Sequence, residues 1–193
     1  MKRREALKHL GLTAGIVVAT PSLIGLLQSC TSDSETWNPV FLSEEQGLIV
    51  KNIVDIILPK TDTPSASEVN VPEFLDKYLN EVLDIKDQEK IKAAFNALVT
   101  QIKTDYNDNL KKVSEENYKN LLDNHMLLDQ PPTPKGDPMT TSDLLNTIKW
   151  MTINAYRISE TVGETILAYD PVPGAYYCGD LQELTGGKAW SLK

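Results

Sequence analysis

From Ser43 to Ile158 the apolar residues of this chain recur at spacings of three and four, in segments separated by proline-rich stretches. A 3.6-residue period lays one apolar stripe along a helix, whereas a half-buried strand needs a period of two. No credible run of alternation interrupts the pattern, so helices must supply the core. Ser43-Glu44-Glu45-Gln46 has the form of a capping box. The helix it opens places Leu48, Ile49, Ile53, Ile56 and Ile57 on one face and ends before Pro59. Lys60 to Val71 is a turn-rich loop, and Pro72 suits the first position of a second helix. Phe74, Leu75, Tyr78, Leu79, Val82 and Leu83 form its apolar set.

The spacing predicts a third helix over Asp87–Tyr106, with Ile91, Ala94, Phe95, Leu98 and Ile102 inward. A fourth, over Ser114–Leu128, carries Tyr118, Leu121, Leu122 and His125. Gln130 to Thr140 holds four prolines and a glycine, which makes it a loop. Thr140 and Asp143 form a second capping box, ahead of Leu144, Leu145, Ile148, Met151, Ala155 and Ile158. A short helix over Thr161–Tyr169 is expected to stop at Asp170-Pro171-Val172-Pro173-Gly174. The tail from Gly186 reads as loose, with Trp190 as a pin. The expected fold is a compact, single-domain all-α bundle of five or six helices with long proline-rich loops.

The first residues read as an address. Lys2, Arg3 and Arg4 give a basic start, Gly11 to Leu27 is an apolar run, and Leu27-Gln28-Ser29-Cys30 closes it. A charged head, a short apolar core and a small residue before a cut site describe a secretory signal. Pro21 interrupts a run shorter than the ~20 residues that span a bilayer. The arginine pair resembles a twin-arginine export signal, although Ala6 stands where phenylalanine is usual. Leu27 to Cys30 resembles a bacterial lipobox, which would make Cys30 the lipidated first residue of the mature protein. Residues 1–29 are therefore expected to be a signal peptide, 30–36 a lipidated polar tether, and 37–193 the helical domain. Asp33 and Glu35 resemble the acidic cues that sort some lipoproteins outward. The expected location is a bacterial membrane, with the domain facing the periplasm or the cell surface.

Removing residues 1–29 takes away Lys2, Arg3, Arg4, Lys8 and Glu5, leaving 15 basic against 26 acidic residues and a charge of −11. A nucleic-acid partner would need a basic face, so none is expected. Adsorption to anionic lipid by charge is disfavoured too, which leaves acyl chains on Cys30 as the membrane contact. Each acyl CH2 contributes about 0.8 kcal/mol, and stable anchoring takes more than one chain. With Cys30 committed to lipid, Cys178 has no partner for an intramolecular disulfide. No zinc-type cluster can be assembled from His125 and Cys178. No Cys-x-x-Cys-His or Gly-x-Gly-x-x-Gly motif is present, so no covalent haem and no dinucleotide-binding half is expected on this chain, and any redox cofactor belongs to a partner.

Few residues carry chemistry. Thr61 and Asp62 are candidates for partner contact; the plainer alternative is that they fix their turn by local bonds. His125 is read as a hydrogen-bonded core residue rather than a ligand, and Cys178 as a small buried side chain rather than an attacking thiol. Tyr169, Asp170, Tyr176 and Tyr177 form an aromatic, proline-bounded segment that either closes the bundle or supplies interface area.

Three segments together resemble one family. They are Phe41-Leu42-Ser43-Glu44-Glu45-Gln46; Ile53 through Leu58-Pro59-Lys60-Thr61-Asp62-Thr63-Pro64 with Val71-Pro72-Glu73-Phe74; and Tyr169-Asp170-Pro171-Val172-Pro173-Gly174-Ala175-Tyr176 with Cys178. Behind a twin-arginine-like signal, and over roughly Trp37 to Leu181, this is similar to the gluconate 2-dehydrogenase subunit 3 family. The resemblance implies a non-catalytic accessory subunit of a sugar or sugar-acid dehydrogenase. FAD would sit on a large flavoprotein of the glucose-methanol-choline type, and a c-type cytochrome often takes the electrons onward. The small subunit would escort the large one across the membrane. The lipobox cysteine departs from the family's usual complexes and would make this subunit an anchor as well. The rival expectation is a free-standing surface lipoprotein that binds a glycan or a protein.

Overall fold

The computed structural model describes residues 37–106, 109–126, 133–134, 137–172, 174–175 and 178–191. Arg3, Arg4, Cys30, Tyr176 and Tyr177 lie outside the described residues, together with the roles expected of them. The elements in order are α1 (Glu44–Ile57), a turn at Ser67–Val69, α2 (Val71–Glu81) and α3 (Ile85–Asp105). A turn at Leu110–Lys112, α4 (Glu115–Met126), α5 (Thr141–Ile158), a π-type turn at Thr161–Ile166 and α6 (Leu181–Thr185) follow. The fold is all-α. Among the described residues there is no strand, and one isolated parallel bridge joins Ala168 to Trp190. No described helix is long and apolar enough to cross a membrane.

Helix α5 is the hub, packing against α1, α2, α3 and α4. Its Leu144, Leu145, Ile148 and Ala155 are buried, and so is Thr152, whose hydroxyl donates to the Ile148 carbonyl at 2.7 Å. That bond satisfies a hydroxyl that burial would otherwise strand. All five inward residues expected of α3 are buried, and Val99 joins them. Both capping boxes form: Ser43 with Gln46, and Thr140 with Asp143.

Asp143 accepts from the Thr140 amide at 3.1 Å and the Thr140 hydroxyl at 2.6 Å, and also from the Thr133 hydroxyl. The bonds from Thr133 and then Thr140 hold its carboxyl below the ordinary aspartate value. A group depressed on folding contributes stability above its unfolded value, and loses it as pH falls through the folded value. Asp143→Asn should therefore cost about 1 kcal/mol at about pH 7, with a smaller gap to the parent protein at about pH 3, below the ordinary aspartate value. Denaturant titrations at the two pH values measure that gap.

A buried carboxylate that the periodicity did not flag joins the N-terminal segment to the bundle. Asp76 is 1% exposed, within α2. Its Oδ2 accepts from the Val40 amide at 2.7 Å, and its Oδ1 from the amides of Phe41 at 3.0 Å and Leu42 at 2.9 Å. Three consecutive amides ahead of α1 thus meet one charge on another helix. Phe41 and Leu42 are buried by the same contact, and the Lys92 ammonium sits 4.5 Å from the Phe41 ring centre.

Several apolar residues face differently from their expected register. In α1 the buried stripe is Gln46, Ile49, Val50, Ile53 and Val54, while Leu48, Ile56 and Ile57 are half-buried on its flank. In α2 only Leu75 and Leu79 of the expected set are buried. Phe74 and Val82 are exposed, Tyr78 and Leu83 are half-buried, and the Phe74 and Tyr78 rings stack 6.2 Å apart. The cause is shared: a set that includes both i and i+1 at every turn covers too wide an arc, and one neighbour face is too little to bury it. In α5, Met151 is half-buried and Ile158 exposed, because the helix runs out beside the irregular segment that follows. Pro72 is the second helical residue rather than the first.

Tyr118 is the largest fully buried side chain. Burial pushes its ionisation above the ordinary tyrosine value, and Asn52 offsets this in part. The Asn52 amide is committed to the Leu48 carbonyl at 2.8 Å, and the Tyr118 hydroxyl completes no hydrogen bond among the described residues. Removing an unpaired buried hydroxyl relieves a desolvation cost of about 1–3 kcal/mol. Tyr118→Phe should thus leave the midpoint of thermal unfolding unchanged or raise it.

Candidate partner interface

Two of the segments singled out in the sequence meet at the C-terminal end of α5. The first is the loop between α1 and α2. Its frame is backbone: the Ala66 amide donates to Leu58 O and the Val71 amide to Ala66 O, each at 3.1 Å. Asn70 takes a left-handed conformation (φ 58°) to turn into α2, which asparagine tolerates better than most residues. Asp55 accepts from the Ser67 amide at 2.8 Å, and Glu68 accepts from the Ser65 amide at 2.9 Å and from Lys60. The Lys60 ammonium holds Glu68 below the ordinary carboxylate range.

At the loop's tip the two threonines fix the turn. The Thr61 amide donates to Thr63 O at 3.0 Å, and their hydroxyls lie 3.2 Å apart. Asp62 was expected to share that work, but it is exposed and its carboxylate makes no hydrogen bond among the described residues. Tyr156 of α5 donates its hydroxyl to Pro64 O at 2.7 Å, which docks the loop on the bundle across 92 positions of sequence.

The second segment begins one residue later. Arg157 donates to Trp190 O at 3.4 Å, the Ala168 amide to Ala189 O at 2.8 Å, and the Ser191 amide to Ala168 O at 3.0 Å. Lys188 reaches Thr165 O at 3.3 Å. The π-type turn and the residues flanking Trp190 are thus joined at the end of α5, and they close the described residues between them into an arm. The expected helix over Thr161–Tyr169 is this six-residue π-type turn, whose last amide, Leu167, donates to Val162 O at 3.0 Å. Just ahead of the tail that begins at Gly186 lies a helix the periodicity did not flag, α6, capped by Asp180 through the Gln182 amide at 2.7 Å and ended by Gly186 at φ 62°. The tail is pinned at Trp190, whose carbonyl accepts from Arg157 and whose backbone bridges to Ala168.

Tyr169 and Asp170 are exposed on this arm. Cys178, expected to be buried, is exposed as well, since it lies in the stretch between Asp170 and α6 that no helix covers. His125 is half-buried between helices, with Nε2 3.2 Å from the Gln101 amide nitrogen and Nδ1 3.4 Å from the Ser142 hydroxyl. It ties α4 to α3 and α5, the structural role its register predicts. Among the described residues no group of three His, Cys, Asp or Glu side chains could hold a metal ion. The gap enclosed by Leu42, Leu75, Phe95 and Ile148 has a volume of only ≈ 10 Å³, about one water-sized sphere.

What stands out is an irregular, well-anchored end of a helical bundle rather than a cleft with paired titratable groups. The family model for gluconate 2-dehydrogenase subunit 3 matches residues 44–174, and the chain belongs to that family. The match takes in α1 to α5, the loop after α1 and the arm as far as Gly174; α6 lies beyond it. No curated protein and no solved structure matches the chain.

Proposed function

We propose that this chain is a non-catalytic accessory subunit that escorts, stabilises and tethers a flavin-dependent sugar or sugar-acid dehydrogenase. The observation that carries the reading is the family match over residues 44–174, since membership implies a subunit of a dehydrogenase complex. FAD then resides on a large flavoprotein of the glucose-methanol-choline type, and a c-type cytochrome is a candidate third member. Tethering rests on the lipobox reading of Cys30, and export on Arg3 and Arg4. The partner surface is the end of α5, where Thr61, Asp62, Tyr169 and Asp170 lie on the two docked segments and Tyr176 and Tyr177 continue the second.

A mild-detergent pull-down of the full chain from its native membrane, read by flavin absorbance, tests the proposal. A stoichiometric yellow flavoprotein in the eluate is the expected result. A colourless eluate containing this chain alone would sink it and favour the free-standing lipoprotein. In the same assay Tyr177→Asp should lower flavin recovery about tenfold, as loss of an interface aromatic does, while leaving the helical circular dichroism unchanged.

A further inference from the structure

Exposed apolar side chains and unpaired carboxylates share one arm of this molecule. Ile158, Tyr169, Val172, Leu181 and Leu184 are all exposed large apolar residues, Val172 at 79% and Leu181 at 59%. Leu181 and Leu184 lie three apart, on one side of α6. Along the same stretch Glu160, Glu164, Asp170, Asp180 and Glu183 are exposed, and the sequence from Ser159 to Thr185 contains no lysine, arginine or histidine. Two cations sit at its margins, Arg157 on the Trp190 carbonyl and Lys188 on the Thr165 carbonyl, so five carboxylates against two cations leave the arm an excess of three negative charges. None of the five carboxylates forms an ion pair among the described residues. Asp180 alone is occupied, as the cap of α6.

The charge decides what can cover this apolar surface. A second copy of the chain would bring five more carboxylates against the first five, and a two-fold interface sets like patches face to face. An anionic bilayer surface repels the same groups. A protein face with an apolar centre and a lysine- or arginine-rich rim satisfies both features at once.

We propose that the arm carrying these residues is an acid-rimmed apolar dock for a basic-rimmed patch on the catalytic dehydrogenase subunit, with Leu181 and Leu184 of α6 as its anchor. The proposal rests on the accessory-subunit reading and adds to it the chemistry of the partner face and a helix beyond the family match. Electrostatic docking of this kind acts mainly on the association rate and weakens with salt.

The test uses the full chain and the flavoprotein that co-purifies with it, separated and recombined, with association followed at low and high NaCl. Glu160→Lys, Glu164→Lys and Asp170→Lys together should slow association about tenfold or more at low salt, an effect that fades at high salt. A control with the same change of charge, Glu89→Lys, Glu116→Lys and Asp123→Lys, is exposed on α3 and α4 and should change the rate far less. Leu181→Asp with Leu184→Asp should raise the dissociation rate at either salt. If the arm variants bind as the parent does, or no better or worse than the control, the dock is refuted while the accessory reading stands. If the wild-type chain yields no flavoprotein, both fall; if the arm instead drives self-association or binding to anionic vesicles, the dock alone is refuted.

Discussion

Replacing Asp76 by alanine should lower the stability of the domain by about 3 kcal/mol, because three buried or part-buried amides lose one charged acceptor together. Among the described residues the Val40, Phe41 and Leu42 amides bond to no other acceptor, and Asp76 itself is 1% exposed. For a domain of this size the loss corresponds to a fall of roughly 6–12 °C in the thermal midpoint. Asp76→Asn keeps the shape and one acceptor oxygen, so about half of the loss should return. Thermal melts of the two variants separate the contribution of the charge from that of the side chain. A midpoint for Asp76→Ala within 2 °C of the parent (about 1 kcal/mol or less) would show that the segment ahead of α1 is not held in this way.

The second large effect is expected at Phe95. Its ring is 1% exposed in the middle of α3 and borders the small apolar gap shared with Leu42, Leu75 and Ile148. A cavity on that scale leaves neighbours little room to collapse inward, so Phe95→Ala should cost about 3–5 kcal/mol. Phe95→Leu should cost less, about 1–2 kcal/mol. Guanidinium titration measures both, and equal midpoints for the two variants would mean that the site relaxes freely. Neither residue touches the arm after α5, so complex formation by the folded fraction should be unaffected.

Residue by residue, the helices and their caps were legible because local rules decide them. Ser43 with Gln46, Thr140 with Asp143, and the five inward residues of α3 all follow from spacing and side-chain reach. Which face turns inward was less legible where apolar residues were abundant. Phe74 and Val82 belong to a good helical stripe, yet α2 has room to bury only the part of it centred on Leu75 and Leu79. Asp76 was missed for the opposite reason. A carboxylate is normally a surface group, and its position between Pro72, Leu75 and Leu79 was the one sign that it pointed inward. At the interface, the loop and the aromatic segment could be singled out from turn chemistry and composition. That the loop and the tail at Trp190 dock on neighbouring residues, Tyr156 and Arg157, was not legible, because it depends on contacts across 92 and 33 positions. The exposure of Cys178 and the existence of α6 were likewise settled by how the chain closes on itself after Asp170. Asp180 ahead of Leu181 was the local signal for that helix.

The clasp at Asp76 also determines how the domain bears mechanical load. Tension arriving along the chain from residue 37 meets the Val40, Phe41 and Leu42 amides before it reaches the first turn of α1. Those amides hand the force to α2, which is itself wedged against α5. The pull is therefore shared by two helices from the outset, and α1 cannot be peeled from its N-terminal end until the carboxylate has let go. If the domain is tethered through Cys30 as proposed, its load enters at that point, where a single aspartate holds three backbone amides.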